Sequence, residues 1–233
     1  MKTQKRRKLQ IDMNEEKLSF FIRTLLNWHK KYRRKFIWRE NADPYIVFLA
    51  ALMLVRTKAR QVEKVLREFL SRYPTLEDAA RGSAEEQIKI LSRLGLTRTR
   101  GLLVVKAIRY VYNELGGKFP RDESSLMEIP GVGRYVASAV KLFAFGDPVP
   151  LLDGPIARVL IRYFGIDGYS RRPSKDPLMW SFAEQILPHK NAKEYNEAIL
   201  DLSEFICKPK PICSKCPLRK YCSFYQNSSN ANK

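Results

Sequence analysis

The sequence predicts an all-α protein. Apolar residues recur at three- and four-residue intervals in segment after segment, strand-like alternation is scarce, and short punctuators rich in Gly and Pro separate the periodic stretches. In chain order the helical periodicity covers residues 18–28, 46–54, 62–73, 87–94, 102–115, 135–145, 156–164, 179–187 and 195–206. The breaks between them fall at Asn41-Ala-Asp-Pro44, Gly82-Ser83, Gly95, Gly116-Gly117, Pro120, Gly146-Asp-Pro148 and Pro173-Ser174. No long internal repeat is present; the basic start and the polar stretch 227–233 are the low-complexity parts, and both are expected to be frayed.

At 233 residues the chain can bury one substantial core or two small cores that share an interface. Its 43 Lys and Arg against 24 Asp and Glu leave a formal charge of +19, which points to a polyanionic partner such as nucleic acid. No stretch approaches the roughly twenty apolar residues of a membrane span, and Met1 to Lys8 lacks the apolar core of a secretory signal. A cytoplasmic, intracellular protein without a membrane partner is therefore expected.

All four cysteines, Cys207, Cys213, Cys216 and Cys222, fall in one window of sixteen residues, with lysines and arginines threaded between them. Four clustered thiolates most simply hold one metal centre. The spacing leans toward an iron-sulfur cluster, because zinc sites more often pair two close Cys-x-x-Cys knuckles, and a structural zinc site remains the competing reading. In either case the centre would fix a basic loop carrying Lys208, Lys210, Lys215, Arg219 and Lys220.

A second segment, residues 126–140, reads as a short apolar helix ending at Pro130, a tight Gly131-Val132-Gly133 hairpin, and an amphipathic helix from about Arg134. Glycines let the backbone approach another surface, and the positive end of the new helix suits a phosphate. A mere packing turn has the same composition. Downstream, Phe145-Gly-Asp-Pro-Val-Pro-Leu-Leu-Asp-Gly-Pro155 delivers Asp153 into the start of a helix, where a carboxylate serves as a cap or as a catalytic group.

The hairpin Ile129-Pro-Gly-Val-Gly-Arg-Tyr135, the loop ending in Asp153 and the cysteine cluster, in that order, resemble the helix-hairpin-helix base-excision DNA glycosylases of the endonuclease III superfamily. Trp38-Arg39, Asp43-Pro44-Tyr45, Leu94-Gly95-Leu96, Arg158-Val159 and Tyr195-Asn196 add to the likeness, which spans about residues 20–225. The resemblance implies a two-lobed helical fold. Residues 1–42 would supply a basic segment and a helix joining the iron-sulfur lobe, 43–146 a six-helix barrel with the hairpin, 147–225 the C-terminal lobe with a 4Fe-4S cluster on loop 207–222, and 226–233 a disordered tail. Double-stranded DNA would lie between the lobes, with a mispaired or damaged nucleotide swung out of the stack.

The resemblance also assigns roles. Bifunctional members carry a lysine directly after the hairpin, where this chain has Tyr135; Lys141, about 240° around the helix, is poorly placed to replace it. A monofunctional enzyme without lyase activity follows, with Asp153 stabilising the sugar cation and Tyr135 lining the base pocket. Gly131, Val132, Gly133, Arg134, Arg56, Leu96, Lys208 and Lys210 are the expected DNA contacts. Adenine glycosylases place a glutamate where this chain has Ala51 and a tyrosine pair where it has Thr97 and Arg98. The likeness is therefore nearest the thymine/uracil mismatch branch, although members of that branch also carry an acid at the Ala51 position. Excision of adenine opposite guanine or 8-oxoguanine, and structure-specific DNA binding without chemistry, stay as alternatives. The Cys207–Cys213 gap holds five residues where relatives usually have six. A monomer whose product passes to an AP endonuclease completes the expectation.

Overall fold

The computed structural model describes residues 8–55, 57–95 and 98–230, the side chains of residues 229 and 230 excepted. The helices are α1 (Glu15–Tyr32), α2 (Ile37–Glu40), α3 (Pro44–Leu54), α4 (Ala59–Arg72), α5 (Leu76–Arg81), α6 (Ala84–Ser92) and α7 (Arg98–Asn113). They continue with α8 (Glu123–Glu128), α9 (Arg134–Phe143), α10 (Gly154–Phe164), α11 (Pro177–Gln185), α12 (Ala192–Phe205) and α13 (Ser223–Asn230). An isolated antiparallel bridge between Gln10 and Asp167 is the nearest thing to sheet among the described residues, so the all-α expectation holds. No described helix is long and apolar enough to cross a membrane.

Two compact units emerge, one of Met1–Arg34 with Pro148–Lys233 and one of Lys35–Asp147. The first break lies at 34/35 rather than 42/43, for a local reason. Phe36 stacks flat on Trp38, with centroids 4.5 Å apart, and the Ile37 amide donates to the Glu63 carboxylate of α4 at 3.1 Å, which ties α2 to the 35–147 unit.

In the 35–147 unit, Asp43 caps α3 by accepting the Tyr45 and Ile46 amides at 2.8 and 3.3 Å, and Pro44 sits in the first turn, where its missing N–H costs nothing. Residues Val47 to Met53 are all buried, because α3 packs against both α4 and α9 and so needs an apolar surface on more than one side. The capping box of Thr75 and Asp78 starts α5, which packs on α7 together with α6.

In the other unit, α1 begins at Asn14, whose side chain accepts the Lys17 amide at 2.8 Å, and buries Phe21, Leu25 and His29 at i, i+4 and i+8 against α12. Phe21 meets Tyr163, Phe164 and Tyr195 with centroids 4.6, 5.0 and 6.2 Å apart. Truncating a fully buried ring of this kind costs about 3–5 kcal/mol. The polar stretch after Cys222 is not a disordered tail as far as residue 230: it forms α13 against α10, with the Arg162 guanidinium 4.7 Å over the Phe224 ring. The remaining residues 231–233 lie outside the described residues.

Candidate active site and nucleic-acid interface

Asp153 is the N-cap of α10. Its Oδ1 accepts the Ile156 amide at 2.7 Å, and the extended backbone before it seats Leu151 and Leu152 in the core. Gly154 and Pro155 then open the helix with little side chain to shield the carboxyl from a ligand. Asp153 keeps some exposed surface as a residue, yet its carboxyl is largely withdrawn from solvent, and this desolvation pushes its pKa above the ordinary value. The Ile156 amide and the positive Arg158 pull the other way and do not overcome it. The capping role and the catalytic role are compatible, since no hydrogen bond from another described residue occupies Oδ2.

The hairpin belongs to the 35–147 unit. Leu126, Ile129 and Val132 anchor it in the core, and the Val132 amide closes the turn on the Ile129 carbonyl at 3.0 Å. Gly131 has φ +82°, and a Cβ there would stand 2.8 Å from the Leu103 side chain of α7, so only glycine fits. Gly133 is different. It is an extended N-cap with nothing within 4 Å of a hypothetical Cβ, so its glycine is there to leave space rather than to relieve strain. Gly133 brings no capping side chain to α9, and the positive pole of a helix so started suits an outside anion. Arg134 pairs with Glu123 at 3.0 Å, Tyr135 is half-buried, and Lys141 is directed to Asp147 at 4.0 Å.

The cysteine loop follows α12, whose last turn closes when the Cys207 amide donates to the Leu202 carbonyl at 2.8 Å. Two arginines of α10 hold the loop. Arg158 Nε donates to the Cys207 carbonyl at 2.8 Å and its Nη2 to the Ser203 carbonyl at 3.2 Å, while Arg162 reaches the Lys208 and Pro209 carbonyls at 2.6 and 2.9 Å. Lys208, Lys210, Lys215, Arg219 and Lys220 are all exposed along it. Arg158 and Arg162 were absent from the sequence-based site. Their spacing of four residues on one helix face was legible, but their carbonyl partners lie more than forty residues away in sequence.

The four cysteines are unpaired and partly buried. Burial, and then the neighbouring Cys222, Cys207 and Cys213, push the Cys216 thiol up to about 12; Cys213 and Cys222 are raised for the same first reason. Desolvated thiols crowded together resist ionisation, and a polycationic centre reverses that preference, so the donor chemistry fits a metal group. No three His, Cys, Asp or Glu among the described residues are gathered as ligands of one metal ion.

The helix-hairpin-helix motif is matched over residues 114–143. The chain is 38% identical over 219 residues to the thymine-DNA glycosylase of Aeropyrum pernix, covering 92% of this chain and 98% of that protein. This chain belongs to the helix-hairpin-helix DNA glycosylases. The glycosylase is also 40% identical to the thymine/uracil-DNA glycosylase of Pyrobaculum aerophilum, over 88% of this chain and 92% of that one. The solved structure of a thermostable thymine-DNA glycosylase superposes with a TM-score of 0.84 at 33% identity, covering 91% of this chain and 98% of the other. An endonuclease III–DNA intermediate, at 22% identity and TM-score 0.78, shares the fold.

Ala51 of the glycosylase lies buried within α3. Arg56 and Leu96, both expected at the DNA, lie outside the described residues. His29 is 3% exposed, with Nε2 3.2 Å from the Glu197 carboxylate, which the Arg33 Nε also reaches at 3.0 Å. A histidine at the apolar spacing of Phe21 and Leu25 was the available signal. Trp38 and Trp180 are buried in the core, while Trp28 is half-buried and stacks on the exposed Tyr32 with centroids 5.2 Å apart.

Proposed function

We propose that this protein is a monofunctional DNA glycosylase that hydrolyses the N-glycosidic bond of thymine or uracil mispaired with guanine and leaves an abasic site. The observation that carries this reading is Asp153, a desolvated carboxylate on the first turn of α10 with one oxygen engaged as cap and the other available. As the base departs with the bonding electrons, positive charge grows on the deoxyribose, and a fixed carboxylate in a water-poor setting stabilises it without reorganising. The same group orients a water and takes its proton as the oxygen bonds to the anomeric carbon. A pyrimidine leaves as an anion held by hydrogen bonds to its carbonyl oxygens, so the alanine at position 51 hurts thymine or uracil excision less than it would hurt excision of a purine.

Tyr135, at the position that a Schiff-base lysine fills in bifunctional relatives, is assigned to the base, and water rather than an amine is the nucleophile. The uncapped start of α9 and the glycines 131 and 133 grip backbone phosphate, with Lys208 and Lys210 adding sequence-independent attraction. The four cysteines are assigned to a 4Fe-4S cluster, whose thiolates each bind a separate iron; four free, partly buried thiols on one loop are the donor set that supports that choice. Its part is to hold the basic loop in shape. The enzyme is expected to act as a monomer on intracellular DNA and to pass its product to an AP endonuclease.

The test is incubation with labelled duplexes containing G:T, G:U, A opposite 8-oxoguanine, and hypoxanthine, each split into samples with and without alkali. Strand breaks at G:T and G:U only after alkali are expected. Breaks without alkali would restore a lyase, breaks confined to A opposite 8-oxoguanine would make it an adenine enzyme, and none on any duplex would leave a binding protein. Iron and acid-labile sulfide in the purified protein check the cluster, and zinc in their place would overturn it.

A further inference from the structure

The segment that delivers Asp153 has no backbone support of its own. Among the described residues, the amides and carbonyls of residues 149–152 enter no backbone hydrogen bond. One side chain does the holding. Asn196, in the second turn of α12 and 1% exposed, accepts the Leu151 amide through Oδ1 at 2.7 Å. Its Nδ2 donates to the Val149 carbonyl at 3.2 Å and to the Ala192 carbonyl at 2.8 Å. The amide has one acceptor and two donors in use, and its reversed orientation would set an oxygen against two carbonyls and an NH2 against an amide N–H, so the clamp has a single orientation.

We propose that Asn196 is a positioning residue for the reaction, acting through Asp153. The N-cap bond to Ile156 fixes the carboxylate from its C-terminal side. Asn196 fixes it from the N-terminal side, because Leu151 is two residues away and the intervening Leu152 is itself buried. With both ends held, the extended chain has little freedom to rotate about the Leu152–Asp153 link, and Oδ2 keeps one direction. With Asn196 gone, the cap bond still forms, but the approach to it loosens by the fraction of an ångström that a reacting geometry registers. The inference rests on the proposed catalytic role of Asp153.

The experiment measures single-turnover excision from G:U duplex, and affinity for a duplex carrying a reduced abasic site, for Asn196→Ala and Asn196→Asp, each alone and combined with Asp153→Asn. The Asp substitution is isosteric and keeps the acceptor for Leu151 while losing the donors to Val149 and Ala192. The expected result is a fall in rate of about 10- to 100-fold for each single Asn196 variant. Duplex affinity should stay within about threefold, and adding either change to Asp153→Asn should bring no further loss, as befits a residue that works through the carboxylate. A folded variant with the wild-type rate would overturn the proposal, as would an equal fold-loss in the Asp153→Asn background. If the Ala variant does not fold, the Asp variant decides; if neither folds, Asn196 is a folding residue and the proposal fails. Should Asp153→Asn alone retain full rate, it is the reading of Asp153 that fails instead.

Discussion

Two helix N-termini in this molecule face the same electrostatic problem and solve it in opposite ways. At α10 the positive end is closed by the chain's own carboxylate, Asp153, which accepts the Ile156 amide at 2.7 Å. At α9 the N-cap is Gly133, which has no side chain to close the end. An end that carries its own anion holds a charge where chemistry can use it, and an end left bare receives a charge from outside. The same backbone physics thus yields a catalytic candidate in one unit and a candidate phosphate grip in the other.

Making α10 resemble α9 should have the largest effect. Asp153→Ala removes catalyst and cap together; excision should fall by about 10³-fold or more, and thermal unfolding should register a loss of about 1 kcal/mol from the missing cap. Making α9 resemble α10 is the reverse experiment. Gly133→Asp places a carboxylate where the proposed function seats a phosphate, so affinity for undamaged duplex should drop about 10- to 100-fold in a fluorescence titration while the melting temperature holds or rises slightly.

Acidity separates the two ends next. Desolvation raises the pKa of Asp153, so its ionised form is lost as pH falls through a value above that of an ordinary aspartate. A single-turnover pH profile should show an acid limb of about tenfold per unit below that value, with duplex affinity changing far less over the same range. The linked stability has the opposite sense. A raised folded-state pKa means that the native state binds this proton more tightly than the unfolded chain does, so the group's contribution is greatest below the unfolded value and declines as pH rises through the folded one. The smallest change is Gly131→Ala, which meets Leu103 at 2.8 Å and a φ of +82°; a destabilisation of about 1–3 kcal/mol is expected in thermal melts, with affinity lowered only as far as the hairpin shifts.

What the sequence disclosed follows the range of the forces concerned. The hairpin glycines and the Asp153 cap are local signals, and both elements formed where their residues placed them. The clamp by Asn196 on Leu151 and the pairing of His29 with Glu197 were not legible, because the partners lie 45 and 168 residues away. Periodicity reports that a face is buried and says nothing of what covers it. Helix α13 was missed for another reason: its polar composition carries no apolar stripe, and its support comes from Arg162 stacking on Phe224 and from the Gln226 amide bonding to the Cys222 carbonyl at 3.0 Å. The break at 34/35 escaped notice because the Phe36–Trp38 stack and the Ile37–Glu63 bond override the Asn-Asp-Pro punctuation that follows.

The account turns on the carboxylate rather than the cap, and Asp153→Asn separates the two, since asparagine caps a helix about as well as aspartate does. Single-turnover excision from a G:T or G:U duplex by this variant, with duplex affinity measured alongside, is the most direct test. A rate lower by about 10²-fold or more at unchanged affinity and melting temperature is the predicted result. Excision at the wild-type rate would contradict it.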